Sequence, residues 1–185
     1  MEISAFIIGL LNIYFATKAS FWNRFFGTIT VILYMFIFFN AKLYADTGLQ
    51  VVFLMFQFYG IYQWLYGSKG KPLSIQLGSK YIYYPILAAS TILFAIITFI
   101  LKNYTDSLTT YADALVTACS LVAPWMMSKK YLQHWILWIF VDSISIVLDV
   151  FKVLYLTVFL YFIFLVLCIK GYNNWFLYKQ GNIKT

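Results

Sequence analysis

Long apolar runs broken by short polar stretches make up nearly the whole chain. Seven such runs lie near residues 3–18, 25–41, 47–66, 81–101, 107–127, 131–150 and 153–172. Each approaches or reaches the roughly 20 residues that an α-helix needs to cross a hydrocarbon core. The pattern predicts an all-α integral membrane protein, a bundle of seven transmembrane helices. The longest polar stretch runs from Gly67 to Lys80 and is the one clear linker, between the third and fourth runs. The first run follows Glu2 and has no Lys or Arg ahead of it. A secretory signal opens on positive charge, so this run is read as a span.

Composition narrows the class further. Hydrophobic residues make up 63% of the 185 positions and charged residues 10%, against roughly 45–50% and about 25% in soluble domains. One soluble core of this size cannot hide that much apolar surface; lipid removes the need to. The net charge of +7 lies in short loops between apolar runs rather than on one face, which argues against a nucleic-acid partner.

The basic residues are sorted by side. The loops after the first, third and fifth spans, with the C-terminal tail, hold Lys18, Arg24, Lys69, Lys71, Lys80, Lys129, Lys130, Lys170, Lys179 and Lys184, while the opposite side holds Lys42, Lys102 and Lys152. Lys and Arg accumulate on the cytoplasmic side of spans. The expectation is an N-terminus outside and a C-terminus in the cytoplasm, and the asymmetry survives only with an odd number of spans.

A faint internal repeat accompanies this. A shift of 111 residues brings Lys18 onto Lys129, Leu43-Tyr44 onto Leu154-Tyr155, Phe53-Leu54 onto Phe164-Leu165, Gly60 onto Gly171 and Trp64 onto Trp175. It pairs the first three spans with the last three in the same direction, with the fourth as linker. The expected organisation is a first three-helix repeat over 1–66, a loop and linker helix over 67–103, and a second three-helix repeat with a short tail over 104–185. Parallel repeats about an axis along the membrane normal are a transporter plan, with the substrate held mid-membrane between them.

Polar residues inside spans are costly and mark function or a partner. Trp135, Trp138, Asp142 and Asp149 recur at spacings that put them on one face of the sixth helix. Asp142 falls near mid-span, and no Lys or Arg lies at its depth to neutralise it. One reading is a neutral or hydrogen-bonded packing residue. The other is a carboxylate beside two indole faces, suited to a flat cationic heteroaromatic ring. Gln57, mid-span in the third helix, offers donors and acceptors either to sugar hydroxyls and a carboxamide or to a neighbouring helix. Asp113 lines the same cavity or anchors helix packing. Tyr161 and Asn12 are weaker candidates. Trp22, Trp64 and Trp175 lie near span ends and fit an interfacial aromatic belt. Cys119 and Cys168 fall inside apolar runs as small hydrophobes. Asn103-Tyr104-Thr105 matches a glycosylation sequon.

Other chemistries lack their residues. The chain has no GxxxxGK[ST] and so no phosphate-binding loop for an ATP-driven motor. A single histidine, His134, builds no histidine metal site, and no cofactor is implied. An intramembrane enzyme using Asp113, Asp142 and Asp149, or a structural subunit, are the alternatives of another class. Helix faces of similar composition leave room for a homo-oligomer.

Several stretches, taken together, carry a resemblance: Phe21-Trp-Asn-Arg-Phe-Phe-Gly27, Asn40-Ala-Lys-Leu-Tyr-Ala-Asp46, Phe58-Tyr-Gly-Ile-Tyr-Gln-Trp64, Asp113-Ala-Leu, Trp135-x-x-Trp138-x-x-x-Asp142, Leu154-Tyr-Leu-Thr157 and Gly171-Tyr-x-x-Trp175. In order and spacing they resemble the PnuC family of bacterial vitamin transporters, over nearly the whole chain. The resemblance implies a fold of three helices, a linker helix and three more, similar to the SWEET sugar transporters fused into one chain. It implies a multi-pass protein of the bacterial inner membrane. It implies nicotinamide riboside as substrate, carried by facilitated diffusion and trapped by a cytoplasmic kinase. Relatives carry thiamine or riboflavin, and thiamine too is cationic and aromatic. Trp135 and Trp138 would stack the ring, Asp142 would balance its charge, and Gln57 and Tyr161 would bond the polar end.

Overall fold

The computed structural model describes residues 2–67, 70–104 and 109–181. Lys69 and Lys184 of the charge count, and Thr105 of the sequon, lie outside the described residues. The described residues form α1 (Glu2–Thr17), α2 (Trp22–Asn40), α3 (Tyr44–Tyr66), α4 (Lys80–Tyr104), α5 (Thr110–Ser128), α6 (His134–Phe151) and α7 (Tyr155–Lys179). The seven apolar runs thus become seven helices.

Four helix ends share one device. Ala19, Lys42, Lys130 and Val153 each take a positive φ, of 50°, 62°, 52° and 59°. At each, the amide one residue further on bonds a carbonyl five positions back, as Leu43 does to Phe38 and Leu154 to Asp149. This left-handed cap satisfies carbonyls that a helix C-terminus otherwise leaves bare. It also reverses the chain within a few residues, so α1 packs along α2 and α5 along α6, and the α2–α3 and α6–α7 pairs are made the same way. Glycine usually takes this position; a β-branched Val153 there carries backbone strain.

The helices close through α1 against α7 and α3 against α5, while among the described residues α4 makes its helix–helix contact with α5 alone. α4 buries no residue, and its Tyr81, Tyr84, Leu87 and Phe99 stand exposed. α2, α4, α6 and α7 are each long and apolar enough to cross a membrane; the apolar part of α1, Ser4–Thr17, is shorter. The large side chains left outside would be insoluble patches in water and suit lipid. The chain is a multi-pass membrane protein.

α7 runs seven residues beyond its expected end, because the Gly171-Tyr-Asn-Asn-Trp175 stretch still packs. Trp175 is completely buried and its indole N–H donates to the Ala16 carbonyl of α1 at 2.7 Å. Trp64 is also buried and donates to the Met127 carbonyl of α5 at 3.2 Å. Trp64 and Trp175 are therefore core residues, not belt residues. Only Trp22, 57% exposed, keeps the expected place. The linker after α3 is docked rather than free: Gln76 exchanges backbone hydrogen bonds with Lys130 and Leu132, and Leu73 is buried. Cys119 and Cys168 are buried free thiols, as expected.

Candidate functional site

The buried core sits at the lysine-rich end of the bundle, where α1, α3, α6 and α7 meet through Ala16, Trp64, Trp135, Cys168 and Trp175. α6 supplies most of the chemistry. His134 is fully buried, with Nδ1 2.7 Å from the Tyr131 carbonyl. Its ring lies 4.5 Å from that of Trp135 and 4.7 Å from that of Trp175. Trp135 presses its six-membered ring onto the bare backbone of Gly171, where even a Cβ would come within 2.5 Å. Its indole N–H has no partner among the described residues. Trp138, one turn further along, is only partly buried and packs against this cluster.

Asp142 follows on the same face, 2% exposed. Its contact is the Cys168 thiol of α7, which donates to Oδ2 across 3.4 Å. No ion pair to Asp142 exists among the described residues, as the lack of a basic residue at its depth requires. Ser145 and Asp149, one and two turns on, are buried too, and Oδ2 of Asp149 has no partner among the described residues. Tyr161 of α7 comes within reach of the Ser145 hydroxyl and of the Asp149 charge. The α6–α7 crossing is thus a column of acid and hydroxyl groups above an indole cluster.

Asn12 and Gln57 lie in the other half of the chain, among α1, α2 and α3. Asn23 donates to the Asn12 side-chain oxygen at 2.5 Å. The Gln57 amide nitrogen and the Asn12 oxygen both crowd Gly27, at 2.6 Å and 3.0 Å from where its Cβ would be. Asp113 lies beside the far end of the α6 column, where it and Lys152 both act on Asp149. Lys152 bonds Asp113 at 2.9 Å and Thr109 bonds it at 2.8 Å, which ties the start of α5 to the end of α6.

One buried charge escaped the sequence reading, which used it to count sides and within a resembling stretch but gave it no place in the site. Arg24 of α2 is 2% exposed. Its Nη1 donates to Oε1 of Gln57 at 3.4 Å, and its guanidinium lies 4.6 Å over the Trp64 ring. Nε and Nη2 have no partner among the described residues. Lys130, in the turn between α5 and α6, shares the same ring at 4.3 Å. Burial, and then the like charge of Arg24, pull its ammonium down to about 8. The signal for Arg24 was in the repeat: the 111-residue shift places it on Trp135.

No cluster of three or more His, Cys, Asp or Glu able to hold a metal occurs among the described residues. The arrangement offers aromatic faces, two buried carboxylates and several amides, all of which are means of binding.

Comparisons with known proteins identify the family. The family model described as nicotinamide mononucleotide transporter matches residues 1–177. The nicotinamide riboside transporter PnuC of Escherichia coli (strain K12) is 26% identical over 197 residues, covering 91% of this chain and 82% of that protein. The riboflavin/roseoflavin transporter RibM of Streptomyces davaonensis is 23% identical over 176 residues, covering 92% and 82%. A crystal structure of the vitamin B3 transporter PnuC superposes with a TM-score of 0.71 at 26% identity, over 92% of this chain and 78% of that one. The chain belongs to the nicotinamide mononucleotide transporter family, the family of PnuC.

Proposed function

We propose that this protein carries nicotinamide riboside across the bacterial inner membrane by facilitated diffusion. The observation that carries the reading is Asp142: a buried carboxylate without a cationic partner among the described residues, on the α6 face that also bears Trp135 and Trp138. Uncompensated charge at that depth is expensive, and a cationic pyridinium ring would offset it. Trp138, still partly open, offers the ring its face. Trp135, packed behind on Gly171, sets the position of that face and joins the stack when the cluster loosens. Gln57 and Tyr161 bond the carboxamide and ribose from the two sides, with Asn12 behind Gln57 and Asp113 holding the frame.

The transport cycle is alternating access, with a first half over 1–66 and a second over 104–185 rocking about the site, and 67–103 supplying the loop and linker helix. The matched helix caps support this 3+1+3, SWEET-like plan. The four positive-φ non-glycine residues among the described residues all pair under the 111-residue shift, Ala19 with Lys130 and Lys42 with Val153. So do the ends of α1 and α5 at Thr17 and Ser128, and the starts of α3 and α7 at Tyr44 and Tyr155. Among the described residues α4 makes its helix–helix contact with α5 alone, as expected of a linker. The lysine-rich end faces the cytoplasm, where a kinase traps the product.

The test is uptake by the purified protein in liposomes. Accumulation of labelled nicotinamide riboside to equilibrium, and no further, is expected. Uptake of thiamine or riboflavin in its place would keep the mechanism and replace the cargo. Concentration above equilibrium would contradict facilitated diffusion.

A further inference from the structure

Arg24 is the least explained group in the fold. A buried guanidinium normally comes with a carboxylate, yet its bonded side chain is the neutral Gln57. Arginine has donors and no acceptor, so the atom of Gln57 that faces it must be the amide oxygen. The amide –NH2 is thereby turned the other way, over the bare backbone of Gly27 and beside Asn12. Without Arg24, either end of the amide could point there. With it, Gln57 presents donors only, which selects a substrate group that accepts: a carbonyl or hydroxyl oxygen.

The other side of the guanidinium leads to the boundary between the halves. It rests over Trp64, whose ring also carries Lys130 and whose N–H is held by the Met127 carbonyl. Gly60 makes room for this, since a Cβ there would sit 2.5 Å from the guanidinium carbon. Two of the three guanidinium nitrogens are buried without partners among the described residues. That cost is relieved in any arrangement where water or a substrate oxygen reaches them. The charge is therefore poorly placed for stability and well placed to hold Gln57 against a contact that must break when the halves part.

We propose that Arg24 is a positioning residue of the substrate site: it fixes the amide of Gln57 with its donors on the Gly27 and Asn12 side and ties it to the Trp64 contact between the halves. This rests on the proposed function, in which Gln57 bonds the substrate.

The experiment measures binding of nicotinamide riboside to detergent-purified protein by tryptophan quenching, together with the thermal midpoint, for Arg24→Met, Gln57→Ala and the double variant. Replacing an unpaired buried charge by an apolar side chain of similar length leaves stability equal or higher. Arg24→Met is expected to melt at or above the parent temperature yet bind about tenfold more weakly, the scale of a lost hydrogen bond at a binding group. In the double variant the loss equals that of Gln57→Ala alone, because Arg24 acts through Gln57. Parental affinity in Arg24→Met, or losses that multiply in the double variant, would overturn the proposal. Should Arg24→Met not fold, Arg24→Lys decides: a lysine cannot span Gln57 and Trp64 together, so weaker binding supports the proposal and parental binding overturns it. Gln57→Ala binding like the parent would instead overturn the place of Gln57 in the proposed site.

Discussion

The crossing of α2 with α3 and the crossing of α6 with α7 have the same turns and different fillings. In both, a glycine on the later helix receives a large side chain from the earlier one: Gly60 receives Arg24, and Gly171 receives Trp135. In both, a buried tryptophan four residues on closes the contact, Trp64 and Trp175. Between these fixed points the bulk is exchanged. Gly27 lies under the long Gln57, whereas Trp138 and the small Cys168 occupy the matching positions. Val31 matches Asp142. One crossing has become cationic and rich in amides, the other aromatic and acidic. Keeping the backbone contacts while diverging in side chains gives a substrate with a flat charged ring and a polar sugar two unlike walls.

Breaking the acidic wall should cost most. Asp142→Ala is expected to cut uptake about thirtyfold or more, on the 2–5 kcal/mol scale for truncating a buried charged partner. The protein should remain folded, as checked by its elution profile in detergent. Normal uptake by that variant would leave the acidic wall without a role.

The two glycines separate next. Gly171→Ala drives a Cβ into the rigid indole of Trp135, and Gly60→Ala into the flexible end of Arg24. Overpacking costs about 1–3 kcal/mol where neighbours cannot yield, so Gly171→Ala should lower the thermal midpoint clearly more than Gly60→Ala. Equal shifts would mean that Arg24 is held as rigidly as Trp135.

Trp138→Ala should weaken binding by about 0.5–2 kcal/mol, the range for a cation over an aromatic face, and Trp138→Phe should recover part of it. Titration of tryptophan quenching by nicotinamide riboside in each detergent-purified variant measures the difference.

The smallest effect concerns Lys130. Its ammonium is pulled to about 8 from the ordinary 10.5, so between those values the folded protein binds fewer protons than the unfolded one. Stability from this group is present above about 10.5 and lost as pH falls through about 8. Thermal midpoints should rise with pH in that window, and Lys130→Gln should flatten the rise.

Much of the fold was legible because lipid imposes so plain a pattern. Seven apolar runs gave seven helices in order, and the repeat paired Gly60 with Gly171 and Trp64 with Trp175, though the two tryptophans read as belt residues and prove to be core. The end of α7 was not legible, since Asn173 and Asn174 read as tail while the buried positions Cys168, Gly171 and Trp175 recur on one face at spacings of three and four. Of the site, Asp142 and its indoles were visible as polar and aromatic groups in an apolar helix. Arg24 was hidden by its place near a span end, where a basic residue is ordinarily solvated. What buries it is Trp64 and Gly60, over thirty residues away in sequence, and no local pattern reports that.

The most direct test of the central claim is tryptophan fluorescence of the detergent-purified protein titrated with nicotinamide riboside and, separately, with thiamine. Saturable quenching by nicotinamide riboside, lost in Asp142→Ala, is the predicted result and puts the cationic ring beside the α6 indoles. A flat response to nicotinamide riboside, or quenching unchanged in Asp142→Ala, would contradict it.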